Sequence, residues 1–267
     1  DTTSHPDIAF LVAHTTASLR KLVIYKSTGA FTWTSTVIDI PATYEVYSGG
    51  SLQAGDFDGD GDDDLIWGHF DLSSGLFETL PIVVAKVNSG PGTVDAPKEL
   101  TNFLGGQVWD IEIYDVDGDT KVDAIAHIRN RASGSLLGAI RGGGFVTILD
   151  PLGLTADFYT LTNYRVEPFG QDGNSCSIGH GDLNADGIPD IATVNDPGEF
   201  QVYFGDGKGA FRDSLRSWQQ LTTSTTFFAP VQSLDVGDVN RDGLAEIWLG
   251  DMSGPPFNLV LWLNVSR

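Results

Sequence analysis

The sequence has a single cysteine, Cys176, among its 267 residues. A disulfide needs two cysteines, so none can form within the chain, and we expect Cys176 to be a small buried apolar residue. No run of apolar residues approaches the ~18 that a membrane-spanning helix needs. No signal-peptide pattern opens the chain, so we expect a mature or a trimmed sequence.

Basic residues are also scarce. The chain has 15 Lys and Arg against 36 Asp and Glu, which gives a formal net charge of −21 at pH 7. Nucleic acids and anionic membrane surfaces are bound through basic patches, which a chain of this composition has little material to build. The sequence therefore predicts neither nucleic-acid binding nor membrane insertion.

Glycine and aromatic residues, by contrast, are plentiful. The chain has 32 glycines and 10% aromatic residues, and no long segment follows the 3.6-residue period of a helix. Its apolar stretches are short, rich in β-branched and aromatic residues, and bounded by Gly, Asp, Asn and Pro, which is typical of strands joined by turns. The sequence predicts an all-β fold.

Four short segments carry an acidic or amide side chain at positions 1, 3 and 5 and a further acid at position 9. We call them loops one to four, and they span residues 56–64, 115–123, 182–190 and 238–246. Oxygen ligands at this spacing, with a backbone carbonyl at position 7, can surround a calcium ion, which takes about six to eight oxygens. An EF-hand would need a Glu at position 12 and flanking helices, whereas strand-like residues flank these loops.

The predicted cofactor is therefore Ca²⁺, with up to four structural ions, and each loop contributes five ligands. The predicted ligands are Asp56, Asp58, Asp60, Asp62 and Asp64; Asp115, Asp117, Asp119, Lys121 and Asp123; Asp182, Asn184, Asp186, Ile188 and Asp190; and Asp238, Asn240, Asp242, Leu244 and Glu246. The residue at position 7 would contribute its carbonyl. Position 6 is glycine in three loops, where the chain turns sharply, but it is Thr120 in loop two, whose glycine we interpret as displaced to Gly118.

The loops mark a repeat. Their closing acids recur at intervals of 59, 67 and 56 residues, and a similar step back from Asp64 reaches Asp7, which we interpret as the tail of an eroded fifth loop. A period of this length is typical of propellers and repeat arrays. The repeat units span about 1–45, 46–105, 106–170, 171–228 and 229–267 and form a single domain, residues 1–267.

Each complete unit predicts four antiparallel strands, one before the loop and three after it. The strands before the loops span 47–57, 108–116, 176–183 and 231–239, and polar outer strands span 33–40 and 217–222. The first unit lacks its inner strand and the fifth lacks its outer one, which predicts eighteen strands in groups of three, four, four, four and three. The interpretation is a β-propeller of four-stranded blades with irregular or incomplete closure. A fragment of a larger propeller and a ring completed by a second chain are the alternatives.

These loops, the apolar strand after each of them and the Gly-x-Gly-Ala-Phe turn at residues 207–211 resemble the FG-GAP/VCBS repeats of integrin α-chain propellers and related secreted proteins. The resemblance implies a propeller with one calcium ion per loop, held between the two inner strands of a blade. Calcium sites of this kind suit the millimolar calcium outside cells, so we expect a secreted, extracellular protein.

A calcium loop that supplies five ligands leaves little room for a substrate, so we expect function at the other end of the blades. His69, Asn195 and Asp251 each stand five residues after a closing acid, and His127 stands four after. Together with Arg129 and Trp109 they are the candidate ligand-binding residues. Polar strand ends that cap backbone groups, and an aromatic residue that packs between blades, are the alternative explanation.

Three functions fit this sequence. The first is a carbohydrate-binding, lectin-like module, and the second is a protein-adhesion module of the integrin-head type with an extracellular protein partner. The third is a polysaccharide lyase, which needs a His or Tyr base, although no catalytic motif groups such residues. We favour carbohydrate binding and assign no catalytic residue.

Overall fold

The computed structural model describes the strands and the four loops and leaves several connecting segments undescribed. The described residues are 7–12, 14, 16–29, 32–40, 51–68, 82–87, 94–95, 97–99, 107–129, 144–149, 164–168, 175–195, 200–213, 231–251 and 258–262. They form eighteen strands and one short 3₁₀ turn. This is the all-β fold that the sequence predicts.

The strands form five antiparallel sheets, numbered in chain order. Sheet one contains β1 (Ile8–Val12), β2 (Lys21–Gly29) and β3 (Thr32–Asp39); sheet two contains β4 (Leu52–Gly55), β5 (Asp64–Gly68), β6 (Ile82–Ala85) and β7 (Lys98–Glu99); sheet three contains β8 (Gln107–Tyr114), β9 (Asp123–Arg129), β10 (Gly144–Ile148) and β11 (Tyr164–Pro168); sheet four contains β12 (Ser175–Gly181), β13 (Asp190–Asn195), β14 (Phe200–Gly205) and β15 (Phe211–Asp213); and sheet five contains β16 (Val231–Gly237), β17 (Glu246–Asp251) and β18 (Asn258–Trp262).

Every sheet is a meander, in which each strand pairs with the strand that follows it in the chain. Among the described residues, the groups of three, four, four, four and three strands match the predicted grouping. Strand β4 spans Leu52–Gly55, within the predicted 47–57, and residues 47–50 of that prediction lie outside the described part. The predicted outer strand at 217–222 also lies outside it.

The sheets pack face to face in chain order, and the second strand of each unit shows the rule. The residue two after the closing acid faces the following sheet, whereas the residues one and three after it face the preceding sheet. Ile66 of sheet two thus packs with Ala124 and Ala126 of sheet three in one buried cluster. The other interfaces repeat this arrangement, with Ala9 against Leu65 and Trp67, Ile125 against Ile191, and Ala192 against Ile247 and Leu249.

The two ends of this row are unlike the middle. Ile8, Phe10 and Val12 stand on the face of β1 that would meet a preceding sheet, and they are 41%, 50% and 40% exposed. Within the described ranges, no buried cluster joins sheet five to sheet one. The described contacts between sheets therefore run in chain order, from sheet one to sheet five.

No helix in the described part of the chain is long and apolar enough to cross a membrane.

Glycine immediately before a loop lets neighbouring blades approach closely, and this gives a test of the packing order. A Cβ added at Gly181 would lie 2.6 Å from the Ala245 Cβ and 2.8 Å from Val236 Cγ1, whereas one added at the equivalent Gly237 meets nothing described within 4 Å. Gly181→Ala should cost about 1–3 kcal/mol of unfolding free energy through overpacking, and Gly237→Ala under about 0.5 kcal/mol. Equal costs in urea denaturation would contradict the packing order.

Candidate metal sites

All four loops adopt one backbone arrangement, which the acid at position 1 organises. In loop one, Asp56 Oδ1 accepts hydrogen bonds from the N–H groups of Gly59 at 2.8 Å and Asp60 at 3.1 Å, and Oδ2 accepts one from Gly61 at 3.0 Å. Asp115, Asp182 and Asp238 accept the equivalent bonds from positions 5 and 6 of their loops. By accepting these backbone hydrogen bonds, the position-1 carboxylate holds the loop in a closed turn.

The acid at position 5 has an equally regular environment. Its Oδ1 accepts the N–H of position 7, at 3.1 Å from Asp62 to Asp60 and 2.8 Å from Lys121 to Asp119. Loops three and four repeat this bond. Backbone donors thus hold the position-5 carboxylate in a fixed orientation.

The closing acid at position 9 is buried in every loop, with Asp64, Asp190 and Glu246 at 0% exposure and Asp123 at 1%. Asp64 Oδ2 accepts the N–H of Phe57 at 3.3 Å and Oδ1 that of Val87 at 2.8 Å. Asp190 repeats both bonds, with Leu183 at 2.9 Å and Gly205 at 3.0 Å. The closing acid therefore ties the start of the loop to the end of the third strand.

The carboxylates of positions 1, 3 and 9 converge. Asp56, Asp58 and Asp64 each bring an oxygen within 4.8 Å of the others, and so do Asp115, Asp117 and Asp123. Either triad could hold a metal ion. Loops three and four have Asn184 and Asn240 at position 3, whose amide oxygens are also hard donors. The donor sets consist of oxygen alone, which fits calcium or a similar hard cation and does not suit a soft metal.

Burial makes two of the closing acids, Asp64 and Asp190, costly to ionise. Desolvation raises the pKa of Asp64 to about 7, and the nearby Asp58 charge adds to this. Desolvation likewise raises the pKa of Asp190 to about 6, with Asp186 and Asp182 adding repulsion. A bound divalent cation would favour the ionised form of both groups, so the electrostatics of the loops also fit a cation.

Two positions in each loop require a positive φ. At position 6, Thr120 has φ 76° and adopts the same turn as Gly61 at 90°. Position 4 shares the requirement, with Gly59 and Gly118 at 78° and 82° and with Ala185 and Arg241 at 65° and 62°. The interpretation of Gly118 as a displaced glycine is therefore wrong, because Gly118 occupies position 4, as Gly59 does. The position-4 requirement was missed because two of the loops satisfy it without glycine.

The predicted carbonyl ligands at position 7 stay predictions, as does the assignment of the side-chain ligands to a bound ion. Among the candidate ligand-binding residues, His127 is 0% exposed and lies between Asp110 of β8 and Phe145 of β10 in register. Its burial favours a structural role. His69 lies outside the described residues.

The other candidates lie on strand ends away from the loops. Arg129, Asn195 and Asp251 are the last residues of β9, β13 and β17, each of which begins at its closing acid. Trp109 stands in an irregularity of β8 between Val108 and Asp110. The strand directions thus bring three of the predicted residues to the same end of their sheets.

One polar cluster was not predicted. Between sheets three and four, His180 Nδ1 lies 2.9 Å from Glu112 Oε2 and its ring stacks on Tyr114 at 4.3 Å between centroids. Ser177 donates to Asp110, whose pKa burial raises. These residues lie on the innermost strands and join one blade to the next.

Five small antiparallel sheets, four of which have an acidic loop between their two inner strands in the same register, define a propeller-type repeat protein. The model of the FG-GAP-like repeat matches residues 1–67 and 182–249 of this chain, which together make up half of it. The protein belongs to the FG-GAP-like repeat family. A search of curated proteins found no match to the chain.

The strain at position 6 of loop two gives a direct test. A β-branched residue in the left-handed region costs about 1–2 kcal/mol, so Thr120→Gly should raise the unfolding free energy by about 1 kcal/mol after glycine's greater unfolded-state entropy is subtracted. Thr120→Ala removes the same side-chain atoms beyond Cβ but keeps the strain, and it is the matched control. If the two variants are equally stable in urea, Thr120 is not strained.

Proposed function

We propose that this protein is a secreted, calcium-stabilised β-propeller module that binds carbohydrate in the manner of a lectin. The proposal has two parts. The acidic loops hold structural calcium ions, and the rim at the opposite end of the sheets binds the sugar.

The calcium part rests on the donor sets of the loops. Each supplies oxygen ligands at positions 1, 3, 5 and 9, which backbone N–H groups orient before any ion arrives. Preorganised ligands reduce the ordering cost of binding. The FG-GAP-like repeats to which the chain belongs are often calcium-binding and typical of extracellular proteins, where calcium is abundant enough to fill weak sites.

The sugar-binding part rests on one repeated observation. In sheets three, four and five the innermost strand has an irregularity at the equivalent residue, at Trp109, Cys176 and Gln232. Such irregularities are over-represented at sheet edges and next to functional sites. Each bulge lies beside the end of the second strand, where Arg129, Asn195 and Asp251 stand.

The innermost strands of three consecutive sheets thus have the same irregularity at one rim. In each sheet, a polar residue at the end of the second strand lies beside it. Guanidinium, amide and carboxylate groups are the donors and acceptors that pair with sugar hydroxyls. An aromatic residue such as Trp109 offers an apolar face on which a sugar ring can stack. The net charge of −21 favours a neutral glycan over a polyanionic one.

The calcium part predicts a conditional loss of stability. Asp186→Ala should lower the melting temperature by several degrees in millimolar calcium, because a lost ligand weakens an ion that stabilises the folded state by mass action. The loss should be smaller in EDTA. Asp63→Ala, which removes an exposed acid that is not a predicted ligand, is the control. An equal loss in both conditions would show that loop three holds no stabilising ion.

The sugar-binding part predicts glycan binding that needs the folded propeller. We expect the protein to bind neutral glycans on an array in calcium and to lose much of this binding in EDTA. The variant Asn195→Ala/Asp251→Ala should weaken binding of the best glycan about tenfold or more, the effect of losing one or two good hydrogen bonds, with an unchanged melting temperature. Asp63→Ala, at the loop end of a blade, should bind normally.

Two results would replace this proposal with another function. Binding of no glycan by the folded protein would overturn it and leave protein adhesion as the better explanation. New ultraviolet absorbance from unsaturated products, when the protein is incubated with uronic-acid polysaccharides, would instead identify a lyase.

A further inference from the structure

In every loop a side-chain nitrogen lies against Oδ2 of the position-5 aspartate, but the residue that supplies this nitrogen differs between the loops. In loops three and four it is the side-chain amide of the Asn at position 3, at 3.0 Å from Asn184 to Asp186 and 3.1 Å from Asn240 to Asp242. In loops one and two position 3 is an aspartate, whose side chain has no N–H group. A lysine ammonium takes the place of the asparagine amide in these two loops. Lys86 contacts Asp60 at 3.0 Å and Lys121 contacts Asp119 at 3.1 Å.

Replacing an asparagine by an aspartate and a lysine leaves unchanged the summed charge of the ligand side chains and their nitrogen donor. Loops three and four have carboxylates at positions 1, 5 and 9 and a neutral amide at position 3. Loops one and two have a fourth carboxylate at position 3, and each adds one ammonium. The lysine therefore accompanies the extra aspartate in these two loops, and the side chains at positions 1, 3, 5 and 9 together with the nitrogen donor carry the same net charge in every loop.

Lys86 is the more informative of the two lysines because it comes from outside its loop. Its Nζ donates to Asp58 Oδ2 as well as to Asp60, and so it bridges positions 3 and 5. It follows β6, where the register of the sheets aligns it with Leu149 in sheet three and Phe204 in sheet four. Sheets three and four carry apolar residues at this point, so the third strand of a blade with a loop does not itself require a lysine, whereas sheet one has Lys26 there.

The lysine is charged at neutral pH, as an ammonium ordinarily is, and its Nζ donates to the carboxylates of Asp58 and Asp60. The Lys86 side chain is 30% exposed and that of Asp58 only 12%, so solvent screens the pair incompletely. At neutral pH the ammonium therefore lies against two of the oxygens that a bound cation would use.

We propose that Lys86 is a built-in counter-ion of loop one, which offsets its fourth carboxylate and lowers its affinity for calcium. This inference rests on the calcium binding proposed above. A calcium ion that enters loop one must displace the ammonium from Asp58 and Asp60 or bind beside a positive charge. Either event costs free energy that loops three and four, with an asparagine amide at the same point, do not incur.

The test is a calcium titration of the full chain by calorimetry. Lys86→Met should raise the calcium affinity of one site by about tenfold, because it removes a unit positive charge beside a partly screened site. Asp58→Asn/Lys86→Met, which gives loop one the pattern of loop three, should return the affinity to near that of the unchanged protein. Lys26→Met alters the equivalent residue of sheet one, whose loop is eroded, and should change nothing.

The same variants have a readout that needs no calcium. In EDTA, Lys86→Met should lower the melting temperature because Asp58 and Asp60 then repel each other without a counter-charge. Asp58→Asn/Lys86→Met should recover most of the loss. Lys86→Leu, which installs the residue found at Leu149, serves as a second variant if methionine disturbs folding.

Loop one is assigned as the affected site by repeating the titration with Asp56→Ala, which removes its organising carboxylate. The effect of Lys86→Met should vanish in that background. If the chain binds calcium and Lys86→Met leaves the affinity unchanged or lowers it, the counter-ion proposal alone is overturned. No calcium binding by the unchanged chain would overturn both this inference and the calcium part of the proposed function.

Discussion

The buried acid that closes each loop is the interaction on which the rest of the structure depends. Asp64 joins the backbone N–H of Phe57, inside the loop, to that of Val87, after the third strand. A fully buried carboxylate is stable only when such donors satisfy it. One side chain thus fixes the loop, the second strand and the third strand relative to one another, and the whole blade takes its register from that point.

That register also sets the contact between blades. Because side chains alternate along a strand, the first and third residues after the acid face one neighbour and the second faces the other. Ile66, two residues beyond Asp64, is buried against sheet three for this reason. A change of one residue between the acid and the apolar run would turn the core positions toward the wrong sheet, so the loop and the core cannot vary independently.

The sequence predicted those features that repeat and that depend on neighbouring residues. The acidic loops and the all-β fold follow from local spacing and composition, and the structure confirms the fold, whereas the predicted strand at 217–222 lies outside the described residues. The pair of Glu112 and His180, which are 68 residues apart, depends on how one blade lies on the next, which no local pattern contains. The positive φ of Ala185 and Arg241 could not be predicted for a different reason. Alanine and arginine do not indicate a left-handed backbone, whereas the other two loops have glycine at this position.

The two ends of a blade are chemically different, and this difference bears on where a ligand can bind. At the loop end, backbone N–H groups, lysine or asparagine nitrogens and the proposed cation occupy the carboxylate oxygens, and few acceptors remain for anything else. At the other end, Asn195 and Asp251 are the last residues of strands that begin at the closing acids. The interactions that make a blade rigid are concentrated at its loop end, so residues at the other end can vary without loss of the fold. This separation would allow one scaffold to bind different ligands.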